Sequence, residues 1–425
     1  MSLDVLITGG SGYLGQFLLQ ALAQEQRPTA PTPDGGGNGG NAPAATATAT
    51  PTQQPQPPLI RRLAYTYLAN PLANAPAPGF KVDLDASEDG GRAALAVALQ
   101  QGLGLGAANP RRSPRRAVVI NCVAISTPAT CERDYERALR INVPTALTDA
   151  AKEVAARAQG GDKDANDDAN PNVPTIIHLS TDQVYAGEGR GMWREDDATP
   201  ESPANAYGRS KHAAERHLLE RWPPGRHVSL RASLIYGPQA PLAPVPRPLF
   251  VQFCAKVVKQ GEPVTFFEDE WRSAVLASDI VAVVLRMLRG IAREAEGVEA
   301  GGAGSAAAEG AVAAPAAPAA APWPLPLPAY NMGGPERLSR VDMARLVARA
   351  VLPSVGGGEE AEAAAARAIV PAPSSSVPAE KRGYESPRDI SMDPAALLRD
   401  LGEFRLTRME EALPGVLGVG GEGAA

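Results

Sequence analysis

Tyr207-Gly208-Arg209-Ser210-Lys211 places a phenol and an ammonium four residues apart, a spacing that brings both onto one face of a helix. A free phenol has a pKa near ~10 and holds its proton too tightly to be a good acid at neutral pH. A neighbouring positive charge stabilises the phenolate and lowers that value, so Tyr207 beside Lys211 could give a proton to a carbonyl oxygen. The same spacing also occurs on helix surfaces that do no chemistry, so its meaning depends on what else the chain brings to it.

Thr8-Gly9-Gly10-Ser11-Gly12-Tyr13-Leu14-Gly15 follows an apolar strand pattern, Leu3 to Thr8, and precedes a helical one, Gln16 to Gln24. Glycines at 9, 12 and 15 permit a tight turn, close approach of backbone to a pyrophosphate and near packing of helix on strand. Thr8, Gly9, Gly12, Tyr13, Leu14 and Gly15 are therefore candidate cofactor contacts, with the NH groups and positive dipole end of the helix facing the phosphates. A carboxylate about twenty residues beyond the glycines would hold the ribose 2'-hydroxyl of NAD. The next strand pattern, Tyr65-Thr66-Tyr67-Leu68-Ala69-Asn70, has none, which favours NADP and leaves NAD open. Arg61 and Arg62 stand before that strand rather than after it. Asp83-Leu84, at the end of a third strand pattern, is placed either to meet the adenine edge or to cap a turn.

Strand patterns at 3–8, 62–68, 80–84, 117–121, 175–180 and 228–234 alternate with helical patterns that include 137–156 and 207–221. This order predicts an α/β fold with a doubly wound parallel sheet, whose ligands lie at the carboxyl ends of the strands. Helical patterns at 250–259, 279–289 and 340–350 predict a smaller C-terminal lobe over the cleft. The expected division is a dinucleotide-binding domain over 1–235, a substrate-binding lobe over 236–414 with some exchange of chain, and a disordered tail over 415–425. Low-complexity stretches near 27–58, 102–116, 158–173, 295–328 and 354–378 bury too little apolar surface to offset the entropy of ordering them and are expected to be disordered inserts.

The formal charge of −6 gives no overall basic field for nucleic acid or an anionic membrane. Arg111-Arg112-Ser113-Pro114-Arg115-Arg116 reads as a solvated linker. Three cysteines fit a reducing compartment better than a disulfide scaffold, and the four histidines include no metalloprotease-type pair, so no metal site is expected. No apolar run approaches a membrane span, and a strand pattern beginning at Leu3 leaves no room for a leader, which points to the cytoplasm.

The glycine block, Asn121-Cys122-Val123-Ala124 and Tyr207-x-x-x-Lys211 together resemble the extended short-chain dehydrogenase/reductase family, whose core is a Rossmann-type sheet. The resemblance implies that Asn121, Val123 and Ala124 pass beside the nicotinamide ribose, that Ser180 lies at the cofactor, and that Thr181 binds the substrate carbonyl. Sugar-nucleotide dehydratases carry an Asp-Glu pair after that threonine, whereas this chain has Asp182-Gln183, and an amide cannot take a proton at neutral pH. Trp193 to Asp197, Pro203 to Lys211 with Glu215, Arg231 to Gly237, Trp271 to Val275 with Asp279, and Ser386 to Asp393 are similar to the dTDP-4-dehydrorhamnose reductase-like family, which includes the methionine adenosyltransferase beta subunit. That resemblance implies an NADP(H)-dependent reductase of a keto group on a nucleotide-activated sugar, with Tyr207 as acid, Lys211 holding the ribose and depressing the tyrosine, and Thr181 orienting the carbonyl. It also admits a regulatory subunit that binds a methionine adenosyltransferase catalytic subunit, or a homodimer. Asp182 and Gln183 are candidate substrate contacts. Arg272 is a candidate for a substrate phosphate or for an ion pair, and Trp193 and Trp271 for pocket lining or buried structure.

Overall fold

The computed structural model describes residues 1–27, 57–86, 88–105, 117–158, 173–246, 249–300, 323–355, 358–402 and 404–419. The inserts expected within 28–56, 106–116, 159–172 and 301–322, and the tail over 420–425, lie outside the described residues.

The first half of the chain runs β1 (Leu3–Thr8), α1 (Tyr13–Gln24), β2 (Ile60–Tyr67), β3 (Gly79–Lys81), α2 (Glu88–Leu103), β4 (Ala117–Asn121), α3 (Pro128–Arg133), α4 (Tyr135–Asn142), α5 (Thr145–Ala158), β5 (Thr175–Thr181), α6 (Ala206–Arg221) and β6 (His227–Ala232). The second continues with β7 (Ile235–Tyr236), α7 (Phe250–Gln260), β8 (Val264–Phe267), β9 (Trp271–Arg272), β10 (Val275–Leu276), α8 (Ala277–Ala300), β11 (Ala329–Met332), β12 (Leu338–Ser339), α9 (Arg340–Val351), α10 (Glu359–Ala368), β13 (Ile369–Ala372), α11 (Ala379–Arg382), α12 (Ala395–Leu401) and α13 (Met409–Leu417).

Seven parallel strands form the main sheet in the order β11-β6-β5-β4-β1-β2-β3. β1, β4 and β6 are buried along their whole length, the pattern of strands covered on both faces. One face packs against α1 and α8 through Leu18, Leu22, Ile280 and Val284, and the other against α2 and α5 through Leu99, Ala151 and Val154. The chain order reverses between β1 and β4, which opens a crevice at their carboxyl ends. A second core holds α7, α9, α10 and α13 together through Cys254, Val347, Ala365 and Leu413.

Several sequence expectations change. The single helix over 137–156 is two, because Pro144 cannot donate a helical N–H and forces Val143 into extended backbone at ψ 124. The segment 354–378, expected to be disordered, contains α10 and β13, and β13 pairs in parallel with β8. Its alanines support a helix whose Ala365 and Ala368 are buried, so low complexity here is small-residue packing. α8 runs on to Ala300 and α13 to Leu417, past the points where disorder was expected to begin. The third strand is short, Gly79–Lys81, and leaves Asp83 and Leu84 in the loop beyond it.

Candidate functional site

The glycine turn lies where β1 meets α1. Gly9 has a left-handed φ of +71°, and a Cβ on Gly15 would stand 2.6 Å from the Gly9 carbonyl oxygen, so the turn tolerates no side chain there. Thr66 fastens it from β2, accepting the Gly9 N–H at 3.0 Å on its hydroxyl and the Gly10 N–H at 2.9 Å on its carbonyl. The cap residue of α1 is Gly12, which has no side chain to satisfy the N–H groups of the first turn. Those donors face a groove of about 580 Å³ lined by Thr8, Gly9, Gly12, Asp83, Leu84, Asn121, Val123 and Ala124. Eight residues expected at the cofactor are thus brought to one cleft. Leu14 and Gly15 sit beneath the turn as packing, and the Tyr13 hydroxyl reaches across to donate to the Pro238 carbonyl at 2.9 Å.

The adenosine end of the groove refines the sequence reading. Asp83 accepts the Asp85 N–H at 2.9 Å, so it caps the loop as well as lining the groove. Arg61 lies at the opposite end of the sheet, where its Nε donates to Asp4 at 2.9 Å, so it is no candidate for a 2'-phosphate. Lys81 lines the groove and was missed, because the expected strand ran past it; a cation at the end of the third strand is the signal that could have found it.

α6 delivers the tyrosine. Asn205 caps it by accepting the Gly208 N–H at 2.9 Å, and its amide donates to the Gln183 side-chain oxygen at 2.7 Å. A Cβ on Gly208 would lie 2.3 Å from the Gln183 carbonyl, so the helix start is pressed onto the end of β5. Tyr207 thereby comes beside Thr181. The Thr181 hydroxyl donates to Asp182 at 3.0 Å. Burial raises the Tyr207 pKa, and Asp182 and Cys131 push it the same way against the pull of Thr181. The balance of these groups is thus opposite to the lowering expected from Lys211.

Lys211 is buried beside the Asn121 end of the cleft and meets His178 at 2.9 Å between Nζ and Nε2. Burial brings its pKa down from 10.5 to about 8, with Glu215 and Cys122 opposing. Burial in turn pushes the Cys122 thiol up to about 12. His178 escaped the sequence reading; a histidine three residues before Thr181 on the same strand was the available signal.

Four other expectations take a different form. The Ser180 hydroxyl turns away from the groove and donates to Glu215, which is paired with Arg231 at 2.8 Å. Asp182 is buried and accepts from Ser233 at 2.7 Å, while burial raises its pKa against the pull of Arg272. Gln183 holds the cap of α6. Arg272, a candidate for a substrate phosphate or an ion pair, is 3% exposed, lies 3.8 Å from Glu270 and donates to the carbonyls of Trp271 at 2.8 Å, Arg388 at 3.0 Å and Pro387 at 3.0 Å. Trp193 and Trp271 belong to the same seam. Trp193 donates to the Asp389 carbonyl at 2.7 Å and stacks on Tyr185 at 5.3 Å, and the Arg337 guanidinium lies 3.8 Å over the Trp271 ring.

Among the described residues no helix is long and apolar enough to cross a membrane, and no group of three or more acidic, histidine or cysteine side chains is arranged to hold a metal.

Residues 106–413 match the family model described as the RmlD substrate binding domain. Among curated proteins, the dTDP-4-dehydrorhamnose reductase of Salmonella typhimurium is 27% identical over 185 residues, covering 43% of this chain and 53% of that one. The enzyme of the same name from Streptomyces griseus is 31% identical over 188 residues, covering 42% and 51%. The matched stretch thus spans about half the length of these curated relatives. The fold is that of a hypothetical dTDP-4-dehydrorhamnose reductase from Sulfolobus tokodaii, with a TM-score of 0.54 at 19% identity over 97% of this chain and 99% of that one. It is equally that of the Bacillus anthracis enzyme solved in complex with NADP, with a TM-score of 0.56 at 15% identity over 98% of each chain.

Proposed function

This chain belongs to the RmlD substrate binding domain family, and from that membership we propose that it is an NADP(H)-dependent reductase of a keto group on a nucleotide-activated sugar. The observation that carries the reading is the meeting of Tyr207 and Thr181 at the end of β5, with Lys211 one helical turn along α6 and the open glycine turn across the crevice. The curated relatives named dTDP-4-dehydrorhamnose reductase support the substrate class.

The residues fit a dinucleotide: the N–H groups of the first turn of α1, which Gly12 leaves without a side-chain cap, for the pyrophosphate, Asp83 and Leu84 at the adenosine end, and Asn121, Val123 and Ala124 along the path to the nicotinamide. When bound, NADPH supplies the hydride. Lys81, a cation lining the groove beside Asp83, favours the 2'-phosphate and thus NADP, with NAD as the weaker alternative. Tyr207 gives its proton to the carbonyl oxygen, and Thr181 orients that oxygen by donating to it the hydroxyl proton that in the free site goes to Asp182. Asp182 and Gln183 serve by positioning, the first holding the Thr181 hydroxyl and the second the cap of the helix that bears Tyr207. Residues 1–235 are assigned to cofactor and 236–414 to substrate. The exchange of chain between them is supported by β11 joining the main sheet and α8 packing on α1.

Purified protein is expected to oxidise NADPH when given a 4-keto-6-deoxy sugar nucleotide. NADPH binding without any such oxidation across thymidine- and uridine-linked keto sugars would reject the reductase reading.

A further inference from the structure

β1, β4 and β5 run parallel in a register that sets Thr8 opposite Asn121 and Asn121 opposite His178. Their side chains therefore stand in a row across the sheet, on the side that α6 covers with Lys211. All four are buried. The row is hydrogen-bonded end to end: Thr8 Oγ1 to Asn121 Oδ1 at 2.7 Å, Asn121 Nδ2 to His178 Nδ1 at 3.0 Å, and His178 Nε2 to Lys211 Nζ at 2.9 Å.

Proton counting fixes the direction of this chain. The Val123 N–H donates to Asn121 Oδ1 at 3.3 Å, which joins Thr8 in pinning the amide oxygen away from the imidazole. Asn121 thus presents its NH2 to His178, and an amide nitrogen only donates. His178 Nδ1 must accept. A neutral imidazole then carries its one proton on Nε2, which points at Lys211. The contact is satisfied only if the lysine nitrogen offers a lone pair.

We propose that His178 is a positioning residue for Lys211: locked by Asn121 with its proton on Nε2, it donates to the lysine nitrogen and favours the uncharged form of Lys211 in the cofactor-free protein. The surroundings agree. Burial is the largest cause holding His178 well below its ordinary pKa, so it is not an imidazolium. The groups bearing on Lys211 itself are Glu215 on α6 and Cys122 after β4, which favour its charged form, against burial, which does not. An ammonium would meet the Nε2 proton head-on, so protonation of Lys211 breaks this contact. His178 has no onward partner able to relay a proton, since Asn121 cannot, so it sets the state of Lys211 rather than conducting protons.

The inference rests on the reductase reading only for the use to which Lys211 is put, and its test needs no turnover. In the cofactor-free full chain labelled with nitrogen-15, two-bond nitrogen–proton correlation spectra report which ring nitrogen of each histidine is protonated, and His178→Gln identifies the His178 signals by their loss. The expected pattern at about pH 8 is a protonated Nε2 and a bare Nδ1. A proton on Nδ1, or on both nitrogens, overturns the proposal. Asn121→Asp replaces the donor by an acceptor; it should move the proton to Nδ1 and raise the Lys211 titration midpoint by about one pH unit or more. An unchanged tautomer in that variant also overturns it, and if the Asn121→Asp protein does not fold, the wild-type spectrum decides alone. A protein that shows the expected tautomer but reduces no keto sugar leaves the positioning role standing and removes the reductase reading; the converse result removes only the positioning role.

Discussion

The glycine turn after β1 and the seam that joins Trp193 and Trp271 to residues 386–393 are both rich in polar groups, yet they use them differently. At the turn, Gly12 leaves the first N–H groups of α1 without a side-chain cap, beside a groove of about 580 Å³. At the seam, the strongest donors are already used: Arg272 on three carbonyls, Trp193 Nε1 on Asp389, and the Met392 N–H on Ser273 at 3.0 Å. A buried donor must find a partner, so an open row of them marks a surface meant for a ligand, and a closed row marks one that holds the protein together. An arginine in a matching motif is therefore not a ligand contact until its own hydrogen bonds have been accounted for.

Breaking the open side should cost activity and little else. Tyr207→Phe keeps the ring packed against Cys131 and Ala138 but removes the acid, so keto-sugar reduction should fall roughly 100- to 10,000-fold with the thermal midpoint nearly unchanged. Rates equal to wild type would take Tyr207 out of the mechanism. On the closed side the expectation reverses: Arg272→Leu leaves the carbonyls of Trp271, Arg388 and Pro387 without their donor and should lose roughly 3 kcal/mol by denaturant unfolding. Should that variant fold with normal stability and show only a raised KM for the sugar nucleotide, the seam would be a binding surface after all.

Lys211 tests the boundary between the two. Its folded pKa of about 8 lies below the ordinary 10.5, so charging it opposes folding; the penalty is complete below pH about 8 and disappears as pH rises through 10.5. Lys211→Met should therefore stabilise the cofactor-free protein by on the order of 2 kcal/mol at neutral pH, with the gain shrinking in alkali. A gain that grows with pH would contradict the buried-amine account. The smallest effect is expected at the rim, where Lys81→Ala should weaken NADP by roughly tenfold while leaving NAD binding almost unchanged. Equal losses for both cofactors would show that Lys81 does not read the 2'-phosphate.

Much of the sheet and the turn could be read directly, because β1 and β4 carry the apolar runs Val5-Leu6-Ile7 and Ala117-Val118-Val119-Ile120 and the glycine spacing falls between a strand and a helix. Strand and helix periodicity are local properties, and so is the four-residue step from Tyr207 to Lys211. Pro144 and the alanines of α10 were equally visible, but the helical pattern over 137–156 ran through the first and the low-complexity stretch over 354–378 took in the second. Local pattern was enough for the parallel α/β architecture, the glycine turn and the spacing of Tyr207 and Lys211, while Thr181 and Gln183 were singled out by resemblance. What those side chains touch emerged only on folding. Thr8, Asn121 and His178 are far apart in the chain and become neighbours through strand register, and Arg272 meets residues 386–388 only when the seam closes. Hydrogen-bond partners and burial depend on such long-range contacts, which residue type and spacing do not contain.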